Sequence, residues 1–128
     1  MTADENPGRG VVVTGAARGM GKAIAQRFAA SGHVVIGVDR DADALAATFA
    51  ELGAPHIGIA GDVCDEELLA RVCEQAVEAG GGLRCFVANA GIIGPGPSTE
   101  QPVAQWDGLL GVNLTGVFLG ARHAARVM

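Results

Sequence analysis

The chain has 128 residues, enough for one domain that buries roughly two thirds of its unfolded surface. Apolar residues make up 49 % and charged residues only 18 %, which excludes a disordered or solvating chain. The formal charge of -5 comes without any cluster of basic residues, which argues against nucleic acid and against an acidic membrane surface as partners. Glycine is the outlier at 20 of 128 residues, about 16 % against a usual ~7 %, so several backbone positions are expected to need positive φ or close approach. There is no Tyr, Lys22 is the only Lys, and Ser31 and Ser98 are the only Ser residues. Cys64, Cys73 and Cys85 lack CxxC or Cys/His ligand spacing, which points to reduced thiols and to no metal site. The first residues are acidic where a signal peptide would be basic, and no apolar stretch reaches the ~20 residues of a membrane span. A soluble, cytoplasmic protein is expected.

Gly10 to Thr14 is a short β-branched run, as in a strand buried on both faces of a parallel sheet. After a glycine-rich turn, Met20, Ala23, Ile24 and Phe28 recur at helical spacing, and Ser31-Gly32 supplies the stop. His33 to Val38 predicts a second strand that ends at Asp39. Leu45, Phe49 and Leu52 then mark a helix that begins among Asp41 and Asp43 and ends at Gly53. Pro55 to Ala60 reads as a third, weaker strand. A helix opened by Asp65 turns Leu68, Leu69, Val72, Cys73, Ala76 and Val77 inward and closes at Gly80 to Gly82. Leu83 to Ala88 is the fourth strand, and a loop rich in Gly and Pro leads to a last long helix from about Pro102 to the end. Strands alternating with helices predict an α/β sheet with right-handed crossovers and helices on both faces.

The strongest local signal lies between the first strand and the first helix, in Thr14-Gly15-Ala16-Ala17-Arg18-Gly19-Met20-Gly21. Gly15 allows a sharp turn, Gly19 lets a pyrophosphate approach the backbone at a helix N-terminus, and Gly21 lets helix and strand pack closely. Asp39 ends the second strand 18 residues beyond Gly21, close to the ~20 at which an acidic residue receives a ribose 2′-hydroxyl. A carboxylate there accepts from the hydroxyl and repels a 2′-phosphate, which favours NAD. Arg40 and Arg18 oppose it, since either guanidinium could pair with a 2′-phosphate. As an ordinary residue, Asp39 would be a strand-end or helix-capping carboxylate.

Thr14 to Gly21 resembles the TGxxxGxG of the short-chain dehydrogenases/reductases, and three further matches follow in order. Asp62-Val63 resembles the pair that this family sets against the adenine. Asn89-Ala90-Gly91 resembles its NAG motif, which shapes the cofactor site and supports the sheet centre. Val112-Asn113-Leu-Thr-Gly-Val-Phe118, with Trp106 upstream, resembles the long helix that bears the family's active-site Asn. The resemblance implies a Rossmann-like doubly wound parallel sheet of about four strands in the order 3-2-1-4. It implies a cofactor site of Thr14, Gly15, Ala17, Arg18, Gly19, Met20, Gly21, Asp39, Arg40, Asp62, Val63, Asn89, Ala90 and Gly91, and a catalytic Asn113. The implied activity is hydride transfer between NAD, less readily NADP, and a small alcohol or ketone. Asp62 could equally begin a helix, Asn89 could be a turn residue with left-handed φ, and Cys64 stands where many relatives have a capping Thr. His33, His56 and His123 match no catalytic position of the family.

The family's Tyr, Lys and Ser have no counterpart here, because without a Tyr no Tyr-x-x-x-Lys can exist within these residues. The expectation is therefore a dinucleotide-binding domain over residues 1–128, incomplete on its C-terminal side and inactive alone. A nucleotide-binding or interaction module without redox chemistry is the alternative. A homo-oligomer is also expected, through an open fourth-strand edge at Leu83, Cys85, Phe86 and Val87. A second sticky surface is expected where Gly116 and Gly120 lie beside Val112, Phe118 and Leu119.

Overall fold

The computed structural model describes residues 9–128; the acidic opening over residues 1–8, and the targeting expectation that rests on it, lie outside the described residues. Four parallel strands, β1 (Gly10–Thr14), β2 (Val34–Asp39), β3 (Ile57–Ala60) and β4 (Leu83–Val87), form one sheet in the order β3-β2-β1-β4. Between them run α1 (Gly19–Ala30), α2 (Ala42–Leu52) and α3 (Glu66–Gly80), and the chain closes with α4 (Val103–Leu110) and α5 (Gly116–Val127).

The apolar strands have no polar face because both faces are covered. Along β1 and β2 the pleat sends Val12, Ile36 and Val38 into one core with Leu69, Val72 and Cys73 of α3 and Leu119 and Ala124 of α5. Val11, Val13 and Val35 go the other way, against Ala25 of α1 and Leu45 and Phe49 of α2. The third strand is shorter than Pro55 to Ala60 and alternates half-buried Ile57 and Ile59 with exposed Gly58 and Ala60, as an edge strand covered on one face does.

Three further features depart from the sequence reading. The last helix is interrupted by a π turn, Gly111–Thr115, between α4 and α5. A single 3-10 turn, Ser98–Glu100, interrupts the loop before it. The expected sticky face of α5 is largely turned inward: Gly116, Leu119 and Gly120 are buried, as is Val112 of the π turn, and only Phe118 stays exposed. A Cβ at Gly116 would lie 2.9 Å from Val63 Cγ2, and one at Gly120 would lie 2.5 Å from Phe86 Cε1. These glycines thus let the helix settle on its own sheet, and they are not a docking surface for another chain. At the edge, Leu83 is buried and Phe86 packs under Gly120. Cys85, Phe86 and Val87 of β4 stay half-exposed.

Candidate functional site

The site is built at the carboxyl ends of β1, β2 and β4, where the chain leaves each strand for the next helix. Gly15 turns with φ +67°, in the left-handed region, and Gly21 packs so tightly that an added Cβ would lie 1.9 Å from the Gly15 carbonyl oxygen. Thr14 is buried, and its hydroxyl ties two strand ends together. Thr14 Oγ1 accepts from the Asn89 and Ala90 N–H groups at 3.1 and 3.0 Å and lies 3.4 Å from the Val87 carbonyl oxygen as donor. Asn89 answers by donating through Nδ2 to the Thr14 and Gly15 carbonyls at 3.1 and 3.3 Å. No non-glycine residue among those described has positive φ, so Asn89 serves by its side chain and not as a left-handed turn residue.

Asp39 is half-buried and holds the same loop from the other side. Its Oδ2 accepts from the Ala17 N–H at 3.0 Å and its Oδ1 from the Asp41 N–H at 3.0 Å. Ala17 is fixed again where its carbonyl accepts from Thr48 Oγ1 at 2.7 Å. Gly15, Arg18, Asp39, Arg40, Asp41, Asn89, Ala90, Gly91 and Ile92 line a cavity of about 370 Å³. A second, smaller cavity of about 120 Å³ shares Gly15, Asp39, Arg40 and Ala90 to Ile92 and adds Val38, Gly61, Val63 and Val112. The glycine loop, Asp39, Val63 and the Asn89 to Gly91 segment therefore come together around one space.

Around that space the charges are already paired in part. Arg18 forms an ion pair with Asp41, while Arg40 is exposed. The Asp41 carboxyl lies below its ordinary range, chiefly because it accepts from the Ala44 N–H and next because Arg18 bonds to it. Asp62 is exposed and accepts from the Cys64 N–H at 2.9 Å. It does not cap α3, a task that falls to Asp65 through the Glu67 and Leu68 N–H groups. The Cys64 thiol is pushed up by partial burial and then by Asp62, so it is a weak nucleophile at neutral pH.

Asn113 sits inside the π turn. Its Oδ1 accepts from the Ile92 N–H and its Nδ2 donates to the Ile92 carbonyl, both at 2.8 Å. One side chain thus clamps both backbone groups of the residue that follows Gly91. Met20 at the start of α1 is exposed. His33 packs edge-on against Phe28, His56 Nδ1 accepts from the Val35 N–H, and His123 pairs with Glu66, all away from this space.

The helix starts differ in a way that matters for a ligand. Helix α2 is capped by Asp41 and α3 by Asp65, and each carries an acidic residue in its first turn. Helix α1 has neither a side-chain cap nor an acidic first turn, and a Cβ at Gly19 would meet nothing within 4 Å. Its positive end faces open space, which suits an anion.

The sequence profile of the short chain dehydrogenases matches residues 9–128. The chain belongs to the short chain dehydrogenase family. It is similar to the short-chain dehydrogenase/reductase eriH of Hericium erinaceus, with 40 % identity over 91 % of this chain and 49 % of that protein. In structure it resembles a short chain dehydrogenase/reductase from Burkholderia phymatum solved in complex with NAD. That match has a TM-score of 0.91 and 34 % identity over 98 % of this chain and 46 % of that one. A short chain dehydrogenase from Burkholderia cenocepacia in complex with NADP matches at a TM-score of 0.86, with 32 % identity over 98 % of this chain and 53 % of that one. The chain spans about half the length of the curated relatives it matches. The Rossmann-like sheet, in the order expected, is the fold of this family member.

Two wall residues escaped the sequence reading. Asp41 reads as a helix start, and its pairing with Arg18 across 23 residues carries no local signal. Ile92 reads as part of an irregular loop, and only the Asn113 clamp makes it a fixed wall.

Proposed function

We propose that this chain is the cofactor-binding part of an oxidoreductase that transfers hydride between a nicotinamide dinucleotide and a small alcohol or ketone. The observation that carries the reading is the uncapped start of α1 beside a cavity walled by Asp39, Val63 and the Asn89 to Gly91 segment. A dinucleotide needs donors for its pyrophosphate and an acceptor for a ribose hydroxyl, and both are present here. When bound, such a cofactor supplies two-electron redox chemistry by hydride transfer.

The chain's own residues divide the work of holding it. Gly15, Arg18, Gly19, Met20 and Gly21 present backbone N–H groups and the helix end to a pyrophosphate, while Ala17, whose N–H is taken by Asp39, shapes the loop between them. Asp39, whose oxygens already order Ala17 and Asp41, keeps lone pairs free to accept from a ribose hydroxyl, with Arg40 beside it. Asp62 and Val63 bound the adenine end. Thr14 and Asn89 fasten the floor and set Ala90 and Gly91, at the carboxyl end of β4, beside the glycine loop. Asn113 is the residue we assign to the reaction's side of the site, where its clamp on Ile92 positions the wall. We infer NAD as the preferred cofactor, because a carboxylate at Asp39 opposes a 2′-phosphate; relatives solved with NAD and with NADP support a nicotinamide cofactor of either kind.

A second reading has its own observation. With no Tyr and a single Lys, residues 1–128 alone would bind nucleotide without turnover, since general acid catalysis worth about 10²- to 10⁴-fold is missing. We also propose a homo-oligomer, now through the outer face of the last helices, where Trp106, Leu114 and Phe118 are exposed. Among the described residues no helix is long and apolar enough to cross a membrane, and we propose a cytoplasmic enzyme. The test is titration of the full-length gene product with NAD and NADP, followed by a panel of alcohols and ketones. Tight NAD binding with turnover of one member supports the reading, and absence of binding to either nucleotide contradicts it.

A further inference from the structure

We propose that Asp41 sets the cofactor preference of this cavity by occupying Arg18, the guanidinium otherwise available to a 2′-phosphate. The inference rests on the dinucleotide reading above and adds a specificity-determining residue to it.

Four charged side chains wall the cavity of about 370 Å³: Arg18 and Arg40, Asp39 and Asp41. A 2′-phosphate brings close to two negative charges and needs guanidinium groups to receive them, whereas a 2′-hydroxyl needs only an acceptor such as Asp39. Arg18 stands at the N-cap of α1, on the rim of that cavity, and 69 % of its side chain is exposed. An exposed guanidinium on a long side chain would ordinarily swing to any phosphate within reach. Here Asp41 Oδ2 holds it.

The carboxylate that holds Arg18 is not a wandering surface group. Asp41 Oδ1 accepts from the Ala44 N–H at 3.0 Å as the N-cap of α2, and the Asp41 N–H donates to Asp39 Oδ1 at 3.0 Å. The helix start therefore fixes where the negative charge stands, and the charge persists further into acid than an ordinary carboxylate's because the Ala44 N–H and then Arg18 favour the ionised form. One oxygen serves the helix and the other serves the arginine. This division makes the two roles separable by a single substitution.

In Asp41→Asn the side-chain carbonyl can still accept from the Ala44 N–H, so the cap survives, while the charge facing Arg18 disappears. Titration calorimetry on the full-length gene product, with NAD and NADP separately, reads the result. The expected outcome is NADP affinity raised about three- to fivefold, the scale of one exposed ion pair released, with NAD affinity changed less than about 1.5-fold. The same substitution on an Arg18→Gln background should lose most of that gain. A gain that persists without Arg18 would mean general relief of negative charge and would overturn the assignment. So would an NADP to NAD ratio unchanged by Asp41→Asn while NAD still binds. If Asp41→Asn fails to fold, Asp41→Ser, which keeps an oxygen to accept from the Ala44 N–H and carries no charge, decides by the same ratio of NADP to NAD affinity. Binding of neither nucleotide to the unmodified protein would instead defeat the dinucleotide reading, and this inference with it.

Discussion

Replacing Thr14 by Val tests whether one hydroxyl fastens the floor of the site. The two side chains have nearly the same shape, so the substitution removes hydrogen bonding and little else. Three contacts go: the N–H groups of Asn89 and Ala90, at 3.1 and 3.0 Å, lose their acceptor, and the Val87 carbonyl, at 3.4 Å, loses a donor. Thr14 is 3 % exposed, and the two orphaned N–H groups would face a methyl group in place of oxygen. Each buried donor left unpaired costs about 1 to 3 kcal/mol. Asn89 and Ala90 are only half-buried, so the lower part of that range applies, and the loss should total about 2 to 4 kcal/mol. Thr14→Ser keeps the hydroxyl and loses one methyl group, worth about 0.8 kcal/mol. Urea unfolding of the three proteins, compared by midpoint at constant slope, measures both losses. A Thr14→Val protein within about 1 kcal/mol of wild type would refute the reasoning, as would Thr14→Ser falling as far as Thr14→Val.

Gly21→Ala places a Cβ 1.9 Å from the Gly15 carbonyl oxygen, a backbone atom that cannot swing aside, and should cost about 3 kcal/mol or more in urea unfolding while abolishing nucleotide binding. His56 contributes a pH dependence of known sign. Burial lowers its pKa below the ordinary 6.5, and its Nδ1 must be unprotonated to accept from the Val35 N–H. Below pH 6.5 the unfolded chain therefore binds the extra proton and stability falls as pH falls. In His56→Gln, which keeps an acceptor, the thermal midpoint should depend less on pH between about 5 and 7 than in wild type. Burial pushes the Cys73 thiol up to about 11, so native protein at pH 8 should label at exposed Cys64 and spare Cys73 until denaturant is added; equal labelling rates would contradict the packing of α3.

The turn from β1 into α1 was legible because its determinants are local: a β-branched run, glycines at fixed spacing, then helical periodicity. The pairing of strands was not local, and the order 3-2-1-4 came from resemblance to a family and not from periodicity. The π turn around Asn113 was invisible, since an apolar stripe does not record one extra residue in a helical turn. Gly116 and Gly120 announced that something approaches the last helix closely without saying what. The structure answers with Val63 and Phe86 of the same chain, which removed the expected partner from that face. Asp39 was found by its distance from the glycine loop, whereas Asp41 was passed over as a helix cap. Its second oxygen has a partner 23 residues away, beyond the reach of any local pattern.

The most direct test of the account is where a dinucleotide binds. Amide NMR of isotopically labelled protein titrated with NAD should shift Gly15, Ala17, Gly19, Val63, Ala90 and Gly91, and in Asp39→Ala the affinity should fall about tenfold or more. Resonances of Arg71, Glu74 and Glu78, which line a groove of about 500 Å³ on α3, should stay in place. Shifts confined to that groove, or binding indifferent to Asp39→Ala, would contradict the claim that the carboxyl end of this sheet is a nicotinamide dinucleotide site.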